Sequence, residues 1–416
     1  IMEIKSMYDY ARAQYAEYGI DTDKAIKKLS SVPVSLQCWQ GDDVKGFESH
    51  AGGTGGGIQT TGSYPGRARN FAGLTKDLDL ALKLIPGTHR LSLHASYISD
   101  DNGCDRDAIT LDNFASWIEY ARQRNIKLDF NATLFGHEKA EDGMTLSHPN
   151  DEIREFWVRH VKACRKIAVG IGKEQNSPCL MNLWAPDGLK ESPADRIGPR
   201  ARLKKSLDDI YSIKYNPEHI IDSVESKVFG IGLESYTVGS AEFYNYYAAK
   251  TGVYNLFDNG HYHPTENVAD KISSALLFAD KIALHITRPV RWDSDHIVTF
   301  NDDVREICKE LVACGALNKA LIGLDFFDAS VNRIAAWVIG ARAVQKALLA
   351  ALLTPHDQLK KMQQNRDFTH MLALSEKIKD LPFGIVWQQY LVHTDTPSDW
   401  MKYVEKYERE VLIERE

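Results

Sequence analysis

Short apolar runs recur along the chain at intervals of about forty residues, and each is followed by a polar or glycine-bearing turn and then a helical pattern. We count eight such runs, at 32–39, 89–95, 127–134, 179–184, 220–227, 253–257, 281–286 and 321–327. Strand and helix that alternate eight times indicate parallel strands joined by right-handed crossovers. The pattern therefore predicts an α/β fold, a (β/α)8 TIM barrel whose chemistry lies at the carboxyl ends of its strands.

The chain length favours one large barrel with additional helices. At 416 residues with 44% hydrophobic content, the chain exceeds an ordinary single domain but suits an extended α/β barrel. We predict a barrel domain over residues 1–354, including a short helical segment at its start, and a helical extension over residues 355–416. Trp387, Tyr390 and Trp400 would be exposed on an isolated extension, so we expect it to pack on the barrel or on a neighbouring subunit.

Composition and charge exclude several classes of partner. The net charge of -7 argues against a nucleic acid or an anionic membrane, which would need a basic face. The six cysteines form no C-x-x-C pair, and we expect them to be reduced in a cytoplasm. No secretory signal pattern is expected at the start of the chain. The apolar stretch 334–353 contains Arg342, Gln345 and Lys346, and it is predicted to be a buried or interfacial helix rather than a membrane span.

The glycine-rich stretch 51–62 does not carry a nucleotide-binding motif. It lacks the order G-x-x-x-x-G-K-[ST], and no G-x-G-x-x-G can be aligned on it. We predict a mobile cover over the barrel mouth and no nucleotide cofactor.

Polar residues interrupt or follow the seventh and eighth apolar runs. His285 and Asp325 fall within apolar sequence, where a buried ionisable group needs a partner. Asp293 and Asp295 are two residues apart in a loop that we predict to be extended, so both side chains would point the same way and could hold one cation. Taken alone, this D-x-D pair is more typical of a solvated loop than of a metal site.

Ionisable residues collect at the ends of four successive predicted strands: Glu225, Lys227, Asp258, His261, His285, Asp293, Asp295 and Asp325. Five carboxylates together would repel one another by several kcal/mol unless cations or protons neutralise them. The set of oxygen ligands with two imidazoles predicts two divalent ions, with Mn²⁺ preferred and Co²⁺, Mg²⁺ or Zn²⁺ as substitutes. Singly, the sequence Asp258-Asn-Gly260 also fits a turn, and His261-Tyr-His263-Pro also fits a surface loop.

Three motifs carry a family resemblance that extends over nearly the whole chain. They are Ser223-Val-Glu-Ser-Lys227, Phe257-Asp-Asn-Gly-His-Tyr-His263 and Leu284-His-Ile-Thr-Arg-Pro-Val-Arg-Trp-Asp-Ser-Asp-His296. The chain resembles the bacterial L-rhamnose isomerases, whose plan is similar to that of the xylose isomerases. The resemblance implies an aldose–ketose isomerase that interconverts L-rhamnose and L-rhamnulose by a metal-assisted hydride shift between C1 and C2. It also implies a homotetramer.

The resemblance further implies roles for the ionisable residues. One ion, which binds the sugar hydroxyls, would be held by Glu225, Asp258, His285 and Asp325. The second, catalytic ion would be held by His261, Asp293 and Asp295, with Asp258 placed to reach both. Lys227 would donate a hydrogen bond to the carbonyl oxygen at C1, and the implied catalytic residues are Lys227, Asp325 and His94.

Several residues at strand ends are candidates for sugar binding. His94 would hydrogen-bond the ring oxygen, O5, although a core histidine bonded to backbone explains the residue equally well. Trp39 and Trp184 would form an apolar wall against the C–H face and the 6-methyl group of the sugar, with generic barrel packing as the alternative. Either Phe130 or Phe135 could extend this wall, and the sequence does not choose between them.

Two other functions fit part of the pattern. A metal-dependent TIM-barrel hydrolase or phosphoesterase would also use clustered histidines and aspartates. A nuclease of this kind usually needs a basic rim, which the acidic balance disfavours. A non-catalytic sugar-binding protein would have little use for Lys227 or for a second metal.

Overall fold

The computed structural model describes residues 4–48, 58, 60–100 and 102–415. Its strands are β1 (Val34–Gln37), β2 (His89–His94), β3 (Lys127–Asn131), β4 (Cys179–Trp184), β5 (Gly188–Leu189), β6 (Ile220–Glu225), β7 (Tyr236–Thr237), β8 (Tyr254–Asp258), β9 (Ile282–Ile286) and β10 (Ala320–Leu324). Its helices are α1 (Ile4–Ala16), α2 (Thr22–Ser30), α3 (Phe71–Leu84), α4 (Ala115–Gln123), α5 (Asp151–Glu174), α6 (Ile197–Ile210), α7 (Ala241–Thr251), α8 (Ala269–Leu276), α9 (Asp302–Ala313), α10 (Arg333–Leu352), α11 (His356–Gln364), α12 (Phe368–Lys377), α13 (Phe383–His393) and α14 (Met401–Glu410). Of the predicted cover 51–62, residues 51–57 and 59 lie outside the described residues.

Eight of the strands close a parallel barrel. Their order around it is β1-β10-β9-β8-β6-β4-β3-β2, and all neighbouring pairs are parallel. Strands β5 and β7 form a separate antiparallel pair. The (β/α)8 prediction is confirmed, and each of the eight apolar runs overlaps one barrel strand. Barrel strands are covered on both faces, which is why they read as continuous apolar runs.

Some predicted strands extended too far. Strand β1 ends at Gln37, and Trp39 lies in the following 3-10 turn, Cys38–Gly41. Strand β6 ends at Glu225, and the N–H of Lys227 bonds to the carbonyl of Gly239 instead of a neighbouring barrel strand. Asp325 is likewise the first residue after β10. Cys38 and Trp39 after β1, and Phe326 and Phe327 after β10, continue the apolar pattern beyond the strand, so the pattern alone overshoots these two strand ends.

The long apolar helix α10 is a core element. Among the described residues it is the one helix that is long and apolar enough to cross a membrane, and 83% of its most apolar window is buried inside the fold. It packs against α9, α3 and α2, and Arg342 and Gln345 donate hydrogen bonds to carbonyls at the end of α3 and just beyond it. The prediction of a buried helix for this stretch is confirmed.

The C-terminal helices pack on the outer helices of the barrel. Helix α13 contacts α1 and α2, and it buries Trp387 and Tyr390. Beyond α14, Arg415 forms an ion pair of 2.7 Å with the buried Asp77 of α3. Arg366, which lies between α11 and α12, has a positive φ of 59°, and this backbone separates the two helices.

The amino-terminal half of the barrel interior contains a buried ion pair. Arg90 on β2 contacts Asp129 on β3, with 2.8 Å between Nη2 and Oδ1. The hydroxyl of Ser35 and the N–H of Leu180 also donate to the Asp129 carboxylate, at 2.7 and 3.1 Å. The remaining donors of Arg90 include bonds to the carbonyls of Leu128 and Pro178. Burial would lower the pKa of Arg90, but the adjacent carboxylate outweighs it and raises the pKa.

Candidate metal centre and sugar pocket

One group of potential ligands lies at the carboxyl ends of four adjacent strands. Glu225 ends β6, Asp258 ends β8, His285 is on β9 and Asp325 follows β10, and one ligand atom from each lies within 4.8 Å of the others. His285 Nδ1 is 3.4 Å from Glu225 Oε2 and 3.3 Å from Asp325 Oδ2. Adjacent positions in the barrel therefore gather these four side chains, as their places at the strand ends predicted.

A second group shares Asp258 with the first. Asp258, His261 and Asp293 also have ligand atoms within 4.8 Å of one another, and all three are buried. His261 Nε2 is 3.2 Å from Asp293 Oδ2, and His261 Nδ1 is 3.1 Å from Glu225 Oε1. The two groups therefore overlap at one carboxylate.

Asp295 lines a cavity beside the two groups but belongs to neither of them. The loop was predicted to be extended, but Asp295 has a positive φ of 49°. This left-handed backbone breaks the alternation by which the side chains of Asp293 and Asp295 would point the same way. Burial, countered first by Lys227, raises the pKa of Asp295 to about 6.

The donor atoms of the two groups fit cations. Glu225 Oε1, Asp258 Oδ2, His261 Nδ1, His285 Nδ1 and Asp293 Oδ1 are buried without hydrogen-bond partners among the described residues. Of these atoms, His261 Nδ1 and Glu225 Oε1 lie within ion-pair distance, at 3.1 Å, but not in hydrogen-bond geometry. Carboxylate oxygens with two imidazoles are the ligands that divalent first-row ions accept.

The pKa shifts reflect the same imbalance of charge. Burial, with the charges of Glu225 and Asp325, raises the pKa of Asp258 well above its usual range. Burial alone would also raise the pKa of Glu225, but His285 and His261 outweigh it and lower that pKa. Without a cation, the crowded carboxylates thus rely on protons and on the two histidines for neutralisation.

Lys227 lies at the edge of the second group. Its Nζ donates to the carboxylate of Asp293 and is 3.3 Å from His261 Nε2. The same Nζ is 5.6 Å from the centre of the Trp184 ring. The ammonium thus stands between the ligand group and the cavity wall.

A cavity of about 570 Å³, including its open mouth, adjoins both groups. This is within the range of small-molecule sites. Its lining residues are Trp39, Val44, Ile58, His94, Asn131, Ala132, Phe135, Asn182, Trp184, Glu225, Lys227, His261, His285, Asp295, Asp325 and Phe327. Asp258 and Asp293 are the two predicted ligands outside this lining, and they lie behind it in the second group.

The candidate sugar-binding residues are also brought together. The His94 ring meets Trp39 edge-on with centroids 4.4 Å apart, and it is 5.5 Å from Phe135, which in turn is 6.1 Å from Trp184. Phe130 instead packs on Phe114 away from the cavity. Of the two phenylalanines, Phe135 is therefore the one on the cavity wall.

Among the described residues, the His94 ring bonds to a side chain rather than to backbone. Its Nδ1 lies 3.0 Å from the hydroxyl oxygen of Thr133. Burial in the cavity wall, and then the charge of His285, lower the pKa of His94 to about 3, so the ring is neutral.

Sequence reasoning missed several lining residues. Asn182 donates to Glu225 Oε2 at 2.6 Å, and it interrupts the apolar run of β4 just as His285 interrupts β9, so the same signal could have identified it. Val44, Ile58 and Phe327 form an apolar part of the lining. No sequence signal marks Val44, which lines the cavity and has a positive φ of 59°, unusual for a β-branched residue.

Comparison with known proteins gives one family over the whole chain. The family model described as L-rhamnose isomerase (RhaA) matches residues 2–415. Proteins named L-rhamnose isomerase from Salmonella gallinarum and Salmonella heidelberg are each 49% identical over 415 residues, covering 99% of this chain and 99% of the relative.

Similar solved structures are more distant. A D-psicose 3-epimerase from Clostridium cellulolyticum H10, solved with D-tagatose, has a TM-score of 0.46 and 12% identity, covering 77% of this chain and 96% of that one. An L-ribulose 3-epimerase has a TM-score of 0.47 and 13% identity, covering 74% and 94%. The match of the family model over residues 2–415 and the two close relatives establish that the chain belongs to the L-rhamnose isomerase family.

Proposed function

We propose that this protein interconverts L-rhamnose and L-rhamnulose by moving a hydride between C1 and C2 of the open-chain sugar. The observation that carries the proposal is the pair of ligand groups that share Asp258 beside one cavity, with Lys227 and His94 on the wall of that cavity. Membership of the family supports the choice of substrate.

Two divalent ions, with Mn²⁺ preferred and Co²⁺, Mg²⁺ or Zn²⁺ as substitutes, are proposed cofactors. The first would be held by Glu225, Asp258, His285 and Asp325, and the second by Asp258, His261 and Asp293. Asp295 would join the second set only after its side chain turns. When bound, the cations would polarise the oxygens at C1 and C2 and lower the barrier to hydride transfer.

Lys227 is the proposed donor to the oxygen at C1. Its ammonium already lies at the cavity wall beside Asp293 and His261. A positive charge there would stabilise negative charge that develops on O1 during the hydride shift, more strongly than it binds the neutral ground state. Asp325, the half-buried carboxylate of the first group, can exchange a proton with a sugar hydroxyl from the cavity side.

The remaining wall would orient the sugar. Trp39, Trp184 and Phe135 present aromatic faces and edges to the C–H groups of the ring. Trp184 Nε1 is buried without a hydrogen-bond partner among the described residues, so it is available to donate to a sugar hydroxyl. The apolar surface around Val44 would accommodate the 6-methyl group of a deoxy sugar.

We further propose a cytoplasmic homotetramer. All six cysteines lie in the described residues and none is bridged, which suits a reducing compartment. Tyr246, Leu277 and Phe278 are 79%, 82% and 86% exposed, which favours burial of this surface between subunits. Sedimentation velocity would measure the mass in solution, and a monomer at micromolar concentration would contradict the proposal.

The decisive experiment incubates Mn²⁺-loaded protein with L-rhamnose and follows the sugar by NMR. We expect L-rhamnulose to accumulate to an equilibrium that is also reached from the ketose side. The Lys227→Met variant is the matched control, because it keeps the metal ligands. If no ketose forms and phosphoesters are hydrolysed instead, the hydrolase alternative replaces this proposal.

A further inference from the structure

We propose that Thr133 is a positioning residue, which holds His94 in the tautomer with its proton on Nε2 so that this nitrogen donates a hydrogen bond to the ring oxygen of the sugar. This inference rests on the proposed function, because it concerns the opening of the cyclic sugar before the hydride moves. It assigns a role to a buried residue outside the cavity lining.

The hydrogen bonds of the Thr133 hydroxyl identify the tautomer. Oγ1 accepts the N–H of Ser96 at 3.3 Å and lies 3.0 Å from His94 Nδ1. In the described part of the chain, Nδ1 of His94 is the one acceptor in hydrogen-bond contact with this hydroxyl. Thr133 is fully buried, and an unpaired buried hydroxyl is costly, so its proton is donated to Nδ1. The ring proton of the neutral His94 must then lie on Nε2.

A second histidine holds the Thr133 backbone. The N–H of Thr133 donates to His160 Nε2 at 3.1 Å, and His160 Nδ1 donates to the carbonyl of Arg106 at 2.8 Å. The guanidinium of Arg106 in turn donates to the carbonyl of Thr133 at 2.9 Å. Both backbone polar groups of Thr133 are thus tied to one buried network, which fixes the direction of its side chain. Burial lowers the pKa of His160 to about 3, so it stays neutral and keeps this pattern.

The His94 ring itself has little freedom to turn. Its plane is held edge-on against Trp39 and Phe135, with interplanar angles of 76° and 65°. With Nδ1 engaged by Thr133, the ring directs its other nitrogen away from that contact, and His94 is one of the residues that line the cavity.

The tautomer matters because the ring oxygen of a pyranose has no proton and can only accept. As the bond between C1 and the ring oxygen breaks, negative charge grows on that oxygen, and the proton released by the C1 hydroxyl ends on it, so the net protonation is unchanged. A donor at Nε2 stabilises the growing charge. With the proton on Nδ1 instead, Nε2 would present a lone pair to the ring oxygen and repel it.

The test replaces the hydroxyl and observes the proton directly. Thr133→Val removes the hydroxyl and keeps the shape, and Thr133→Ser keeps the hydroxyl. Thr75→Val is the matched control, since within the described ranges the hydroxyl of Thr75 bonds only to carbonyls of its own helix α3. Neutron crystallography of deuterium-exchanged protein locates the deuterium on His94.

We expect deuterium on Nε2 in the wild type and in Thr133→Ser, and on Nδ1 for part or all of the molecules in Thr133→Val. The same variant should lose roughly tenfold in kcat/KM for L-rhamnose, the effect of one neutral hydrogen bond, while Thr133→Ser stays within about twofold of wild type. Thr75→Val should match wild type in both measurements.

Deuterium on Nδ1 in the wild type would overturn the proposal, as would a Thr133→Val variant that matches Thr75→Val. If Thr133→Val does not fold, wild type and Thr133→Ser test the proposal instead. Deuterium on Nε2 in both, with kcat/KM of Thr133→Ser within about twofold of wild type, would support it, and deuterium on Nδ1 in either would overturn it. Failure of the proposed function is distinguishable, since wild-type protein would then produce no ketose whatever tautomer His94 has.

Discussion

Buried charges occur at both ends of the barrel interior, but they are fully paired and hydrogen-bonded at only one of the two ends. In the amino-terminal half, Arg90 meets Asp129 one to one, and a serine hydroxyl and backbone groups satisfy the remaining atoms. At the carboxyl-terminal mouth, Glu225, Asp258 and Asp293 are equally buried, yet each has an oxygen without a hydrogen-bond partner among the described residues.

The difference separates a structural ion pair from a binding site. A buried pair with matched charges and complete hydrogen bonds needs nothing further to be folded. An excess of buried carboxylates destabilises the fold unless a cation neutralises it. An excess of buried carboxylates is typical of a site that a ligand completes. The carboxyl-terminal mouth therefore indicates a binding site, whereas the Arg90–Asp129 pair stabilises the fold.

Removal of divalent ions is expected to have the largest effect, and it acts on the mouth alone. A chelator should abolish turnover, and Mn²⁺ should restore it. Ions that bind only the folded state should also raise the melting temperature, by an amount that corresponds to about 2.7 kcal/mol at a concentration one hundred times the Kd. Calorimetry and the ketose assay measure both effects. Full activity in exhaustively chelated protein would contradict the proposal that the carboxylates at the mouth bind cations needed for turnover.

Asp129→Ala tests the ion pair in the amino-terminal half of the barrel interior. It leaves Arg90 buried without its partner, which should lower the free energy of unfolding by about 3–5 kcal/mol, with or without metal. Urea denaturation measures this loss. Glu119→Ala is the control, because Glu119 forms an exposed ion pair with Arg122, and we expect little change there. An equally small loss from Asp129→Ala would contradict the structural role of the pair.

Lys227→Met asks whether the mouth has catalytic as well as binding charges. Without the ammonium, kcat should fall roughly a hundredfold, about the effect of one lost charge-stabilising donor, and KM should change much less. Arginine should not restore the rate, because its planar guanidinium does not occupy the position of a compact ammonium. Near-normal kcat in Lys227→Met would make the residue structural, like Arg90.

The sequence predicted the elements that depend on a regular pattern. The eight barrel strands were found because burial on both faces makes their sequences continuously apolar. His285 and Asp325 were found because they interrupt such sequences. Because their strands were predicted to be neighbours in the barrel, we expected the two side chains to lie close together. Asn182 and Asp129 interrupt strands in the same way, so they were within reach of this reasoning.

Loop geometry set the limit of prediction. The direction of Asp295 depends on a positive φ that no local residue pattern announces. Val44 has the same kind of backbone, and its Asp43 neighbour is held by Arg333, almost three hundred residues away in sequence. The choice of Phe135 over Phe130 depends on the end of β3 at Asn131, after which strand alternation no longer applies.

Asp258→Asn is expected to change the free energy of unfolding least. The sign of this change nevertheless distinguishes the two ends of the barrel interior most directly. The raised pKa of Asp258 means that the metal-free folded state binds its proton more tightly than the unfolded chain does. Stability from this group is therefore complete at low pH and is lost as the pH rises above the ordinary carboxyl range toward the raised pKa.

Asparagine carries no charge and can still accept the N–H of Gly260, which bonds to Asp258 Oδ1 at 2.6 Å. At neutral pH we expect the metal-free variant to be more stable than wild type by about 1 kcal/mol, with a shallower loss of stability as the pH rises. Mn²⁺ should stabilise it less than wild type. Urea denaturation of both proteins from pH 5 to pH 8, with and without Mn²⁺, measures these differences. Neutralising Asp258 should thus raise the free energy of unfolding of the metal-free protein, whereas neutralising Asp129 should lower it. If metal-free Asp258→Asn were less stable than wild type, the carboxylates of the mouth would be satisfied by the chain alone, as those of the Arg90–Asp129 pair are.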